Sequence, residues 1–154
     1  MKPVDITPVV NHIRETVLSH RLGAGSYARW LWQDKKNSRN LGEDEYGCAD
    51  AMNILYTISD FPRDVTERAA CVEHLQAMQS ADGFFHSKDC HHHYFHTTAH
   101  CSAALELFDT APLRQPTELS ELLQPAKLEE FWRNWIGTTI HGMNPIKARD
   151  CMCS

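Results

Sequence analysis

The 154-residue chain contains no apolar run near the ~20 residues that a membrane-spanning helix needs, so no α-helical span is expected. Positive charge is also short. Fifteen Lys and Arg stand against twenty Asp and Glu, a net charge of −5, and a nucleic-acid surface normally needs the opposite balance. No segment alternates apolar and polar residues as a half-buried strand does, which points away from a β architecture. The opening residues, MKPVDITPVV, lack the apolar stretch of a secretory signal. None of the six Cys (48, 71, 90, 101, 151, 153) forms a Cys-x-x-Cys pair, so reduced thiols and a cytoplasmic setting are expected. A phosphate-binding loop, a dinucleotide fingerprint and a Ser nucleophile elbow are likewise missing.

Helical periodicity is what the chain does have. Thr7 as cap, Pro8 in the first turn and Gly23 at the end predict a helix over about 7–22, with Ile6, Val10, Ile13 and Val17 on its apolar face. A short helix is expected after Ser26, anchored by Tyr27, Trp30 and Leu31. Residues 34–45 read as a polar loop. Further helices are predicted over 46–58, up to about 79 after an Asp64-x-x-Glu67 capping box, over 94–108, over 117–123, and from Pro125 onward. The expectation is one all-α domain over residues 1–154, with 141–154 as a tail.

The chain is weakly self-similar at a spacing of 49 residues. Tyr46-Gly-Cys-Ala-Asp-Ala-Met-Asn-Ile-Leu-Tyr-Thr-Ile-Ser-Asp60 overlies Phe95-His-Thr-Thr-Ala-His-Cys-Ser-Ala-Ala-Leu-Glu-Leu-Phe-Asp109. This predicts repeated helical hairpins, with units at about 26–61 and 66–110 whose small-residue helices pack closely on their neighbours.

Leu75-x-x-x-Gln79-Ser-Ala-Asp-Gly83-Phe-Phe85 resembles the Gln-Trp repeat of the terpenoid cyclases. The run His96-Thr-Thr-Ala-His-Cys-Ser-Ala-Ala-Leu-Glu-Leu107 is similar to the inner helices of those cyclases and of protein prenyltransferase β subunits. The resemblance covers about residues 26–109 and implies part of an α/α toroid, with inner helices around a cavity and Gln79 and Phe85 as braces. Phe85 departs from the usual Trp, His74 stands where an aromatic is usual, and the cyclases' Asp-x-Asp-Asp run is absent. A closed toroid needs roughly 250 residues by helix and loop lengths. The chain is therefore expected to be a half-toroid, a fragment, or one part of a homo-oligomer.

Six of the ten His lie between His86 and His100. His96 and His100 at i, i+4 on one helix could hold a divalent metal such as zinc, with Asp89 or Cys90 completing the set. They could equally hydrogen-bond within the helix packing. Asp50, the acid inside the small-residue helix 46–58, is a candidate catalytic group together with His96 and His100. Glu43-Asp44-Glu45 could face the His loop or favour a helix N-terminus. Cys48 and Cys101, on small-residue faces, are expected to be buried and inert.

Three functions follow. One is an enzyme with an Asp/His site at a cavity mouth, acting on an apolar (prenyl- or terpenoid-like) or carbohydrate substrate. Another is a non-catalytic helical module whose open edge is covered by a partner or a second copy. The third is a metal-binding protein using the His cluster.

Overall fold

A computed structural model describes residues 3–33, 39–87 and 92–140, with the backbone alone for Glu121 and 134–140. Among the described residues the elements are α1 (Thr7–Ser19), β1 (Arg21–Gly23), β2 (Ser26–Tyr27), α2 (Glu45–Thr57), α3 (Val65–Ala77), α4 (Tyr94–Glu106), α5 (Thr117–Leu122) and α6 (Pro125–Ile140). The protein is largely helical, and none of these helices is long and apolar enough to cross a membrane.

Two expectations near the N-terminus are corrected. α1 stops at Ser19 rather than near Leu22, and residues 26–31 form no helix. In their place stands a two-stranded antiparallel sheet, β1 against β2. His20 is where the helix gives way. Its carbonyl accepts the Ala28 N–H at 2.9 Å, and its ring Nδ1 lies 2.9 Å from the Ala28 carbonyl oxygen. These contacts with a residue eight positions on replace continued helix. The N-terminal cap also differs, since Thr7 lies inside the helix and its N–H donates to Asp5 Oδ1 at 3.0 Å.

α2 is the hub. Asp44 caps it, its Oδ1 accepting the N–H of Tyr46 (2.9 Å) and of Gly47 (3.2 Å). Eight of its thirteen residues, from Glu45 through Leu55, are buried. Gly47 allows its first turn to approach the strand beside it, for a Cβ there would stand 2.6 Å from the Ala28 carbonyl carbon. α1 runs antiparallel to α2: its C-terminal end meets Ala28, while Arg14 pairs with Asp60 beyond the far end of α2 at 2.7 Å. α3 starts from the expected Asp64 cap, which accepts the Glu67 N–H at 2.9 Å. It returns to the start of α2, where His74 Nδ1 lies 2.5 Å from Glu43 Oε1.

α2 and α4 run side by side in the same direction. Tyr46 meets His96 near their N-terminal ends, Asp50 meets His100 one turn on, and Phe61 packs on Phe108 beyond their C-terminal ends, ring centroids 4.6 Å apart. Each helix is 13 residues long, and their bounds differ by 49. They also end alike. Ser59 and Asp109 adopt left-handed φ of 62° and 56°, while the N–H groups of Asp60 and Thr110 return to the carbonyls of Leu55 and Leu105. Glu43 and His92 both flank the Tyr46 end of this helix pair.

The core lies between these helices, with Cys48, Ala49, Met52 and Leu55 of α2, Cys71 and Leu75 of α3, and Cys101, Ala104 and Leu105 of α4. Small residues on α2 and α4 allow the close approach, and dense packing supplies dispersion contacts. Phe85 fills the space behind them, and its N–H donates to Thr98 Oγ1 at 2.9 Å. Gln79 ties the end of α3 to two loops. Its amide nitrogen donates to the carbonyls of Gly83 and Arg114, each at 2.7 Å, and its oxygen accepts the Arg114 N–H at 2.9 Å.

Candidate functional site

The face that α2 and α4 present together is not covered by α1 or α3. Asp50, Ile54 and Thr57 of α2 and His96, Ala99, Ala103 and Glu106 of α4 are exposed along it. These positions repeat at helical spacing, so one open strip carries polar groups and small side chains, with Ile54 as its one bulky apolar member among those named.

Near the N-terminal end of this strip the candidate residues converge. Asp50 Oδ1 lies 2.8 Å from His100 Nε2. An ionised carboxylate only accepts, so Nε2 is the donor in this contact and Nδ1 is the ring nitrogen left for other partners. The Tyr46 hydroxyl lies 2.7 Å from His96 Nδ1 and 3.3 Å from Thr97 Oγ1. Burial pushes the Tyr46 phenol above its ordinary pKa, and the Thr97 hydroxyl offsets only part of that. The phenol is thus protonated at neutral pH and can donate to His96. Three imidazoles stack along α4, His92 on His96 at 5.1 Å and His96 on His100 at 6.3 Å, all against the Tyr46 ring. His93, next to them, serves the helix instead: its Nδ1 accepts the Phe95 N–H at 3.3 Å.

The three residues expected to act together, Asp50, His96 and His100, therefore lie on one face. Asp50 engages His100, and His96 engages Tyr46. Of the expected metal donors, Asp89 and Cys90 lie outside the described residues. Among the described residues no group of three or more His, Cys, Asp or Glu is arranged to hold a metal ion. The acidic run Glu43–Glu45 divides its tasks. Glu43 reaches His74, Asp44 caps α2, and Glu45 is buried in its first turn. Cys48, Cys71 and Cys101 are free and buried, with burial raising the first two to about 12 and about 11 and the third further. Such thiols are poor nucleophiles. Cys90, Cys151 and Cys153, and the tail from residue 141, lie outside the described residues.

Two open grooves lie elsewhere. One of about 520 Å³ runs along α3 and includes Val72, Gln76, Phe108 and Leu113. Another of about 710 Å³ lies at the C-terminal end of α2, beside Tyr56, Phe61 and Arg63. Asp50, His96 and His100 line neither of them.

Sequence reasoning missed Tyr46 and Arg29 as parts of this cluster, and had His92 only as one of the loop His beside His96 and His100. Tyr46 had a signal, as the aromatic that opens the repeated segment. Arg29 had none, because the turn that brings it over Tyr46 depends on the β1–β2 hairpin. No protein-family model, curated protein or solved structure matches the chain.

Proposed function

We propose that the chain is one arc of an α/α toroid and that Tyr46, Asp50, His96 and His100 form an acid–base site on its inner face, acting on a carbohydrate substrate. The parallel packing of α2 and α4, their equal lengths and their matching ends support the hairpin repeat. α1 and α3 are then the outer helices. The observation that carries the site is the Asp50–His100 contact at 2.8 Å on the uncovered strip. A carboxylate that fixes the Nε2 proton leaves Nδ1 to take a proton, while the Tyr46–His96 pair offers one. Apart from Ile54, the named strip residues are polar or small, which favours a sugar over a prenyl chain, since the latter would need an apolar cavity there.

The test is a screen of the purified chain against glycosides and polysaccharides, followed by variants on any substrate turned over. Asp50→Asn and Tyr46→Phe should each lower kcat by about 10²-fold or more, the usual range for a positioned acid or base. Undiminished turnover in Asp50→Asn, or no turnover on the whole panel, removes the reading.

A second reading is a module that associates with another copy of itself or with a protein partner. The apolar face of α1 favours it, since Ile6 and Val9 continue the line of Ile13 and Val17 but are 63% and 59% exposed. Light scattering of the purified chain separates the two: a monomer that stays monomeric at high concentration argues against self-association through this face.

A further inference from the structure

A column of cations and rings runs into the candidate site. The Arg39 guanidinium lies 5.9 Å from the Trp32 ring and 4.3 Å from the Trp30 ring. Arg29 sits between Trp30 at 5.1 Å and Tyr46 at 4.9 Å, and the Tyr46 ring meets the stacked imidazoles. Arg29 is the unusual member. Among the described residues, Arg14, Arg21 and Arg133 each hold a carboxylate, whereas Arg29, like Arg63, Arg68 and Arg114, forms no such pair; Arg29 differs from those three in having a buried guanidinium nitrogen left without a partner. Its Nη1 is buried with no hydrogen-bond partner, and Nη2 reaches only His92 Nε2, at 3.5 Å. Ring faces attract a guanidinium but cannot use its N–H donors. A half-buried guanidinium with an unmade bond and no counter-charge is poised to gain from an oxyanion. The contact to His92 is long, so an arriving carboxylate can displace it and accept from Nη2 while the whole guanidinium supplies the counter-charge.

At the other end of the column, the Trp32 ring is 66% exposed. A flat exposed indole fits the apolar face of a pyranose ring. The geometry points to Arg29 and Trp32 as a subsite for a carboxylate-bearing sugar, which places the substrate among the uronic-acid carbohydrates. This rests on the carbohydrate reading above and deepens it.

The probes are a galacturonate and a glucuronate oligosaccharide, their neutral counterparts of equal length, and inorganic phosphate, titrated calorimetrically into the full chain. At least one uronate should bind, at least tenfold more tightly than its neutral counterpart and than phosphate, and less tightly as salt is raised. Arg29→Met should weaken it tenfold or more. Trp32→Ala, an exposed change that leaves the core intact, should weaken it about fivefold or more and keeps the test valid if Arg29→Met does not fold. Equal affinity for the neutral sugar or for phosphate, an unchanged Trp32→Ala, or no uronate binding would overturn the assignment. Titrating Asp50→Asn in parallel separates the two proposals. Uronate binding that depends on Arg29, without turnover that depends on Asp50, leaves the subsite standing and removes the acid–base site.

Discussion

The Tyr46 hydroxyl of α2 and the His96 imidazole of α4 meet at 2.7 Å across the seam of two parallel helices, fifty residues apart in the chain. The bond pins the N-terminal ends of α2 and α4 to each other. Tyr46→Phe keeps the ring and its stacking on the imidazoles and deletes only the hydroxyl. It should lower stability by about 1 kcal/mol, the net worth of one hydrogen bond, as measured by urea unfolding.

Gly47 is a sharper test of the same seam. A methyl group there would stand 2.6 Å from the Ala28 carbonyl carbon and 2.7 Å from the Arg29 nitrogen, both backbone atoms that cannot swing away. Gly47→Ala should destabilise by about 1–3 kcal/mol, the range for overpacking, although alanine favours helix in isolation. A midpoint at or above that of the parent in urea would show that the strand can move off.

Gln79 is the brace at the end of α3. Gln79→Ala removes three hydrogen bonds, two to Arg114 and one to Gly83, and leaves partly buried backbone groups without partners. The expected loss is roughly 2–4 kcal/mol. A drop well below 1 kcal/mol in a thermal or urea transition would mean that water replaces the amide without penalty.

The buried thiols set an alkaline limit. Their folded pKa values lie above the unfolded value of about 9.0, at about 12 for Cys48 and about 11 for Cys71. The unfolded chain therefore loses these protons first. The stabilisation is complete below pH 9 and drains away as pH climbs toward the folded values. Unfolding free energy should fall steadily above pH 9. At pH 8 a thiol reagent should label no more than three of the six Cys in the folded protein and all six in denaturant.

The helices α2, α3 and α4 were legible because their signals are local. Asp64 with Glu67 marks a start, small residues mark a packed face, and the bounds of α2 and α4 fall within two residues of the expectation. The N-terminal hairpin was not. Arg21 and Leu22 carry no strand signature, and they pair because His20 binds Ala28 and because Arg21 reaches Glu67 at 2.7 Å. That is tertiary context overriding a weak helical pattern. The site was half legible. Asp50, His96 and His100 share a face because i, i+4 spacing puts the two His on one side of α4. Their choice of partners, Asp50 with His100 and Tyr46 with His96, depends on a helix register that periodicity cannot supply.

The central position of α2 has a consequence for how the molecule opens. It packs against α1, α3, α4 and β2, whereas α5 and α6 pack on each other. That pair reaches the rest through Tyr94 with Glu118 at 2.8 Å, Phe95 with Phe131, and Thr117 with the Asp82 carbonyl. Amide protons from Cys48 to Leu55 should then exchange with deuterium only when the whole domain unravels. Those of α5 and α6 should exchange sooner, as that arm lifts while the three-helix heart stays closed.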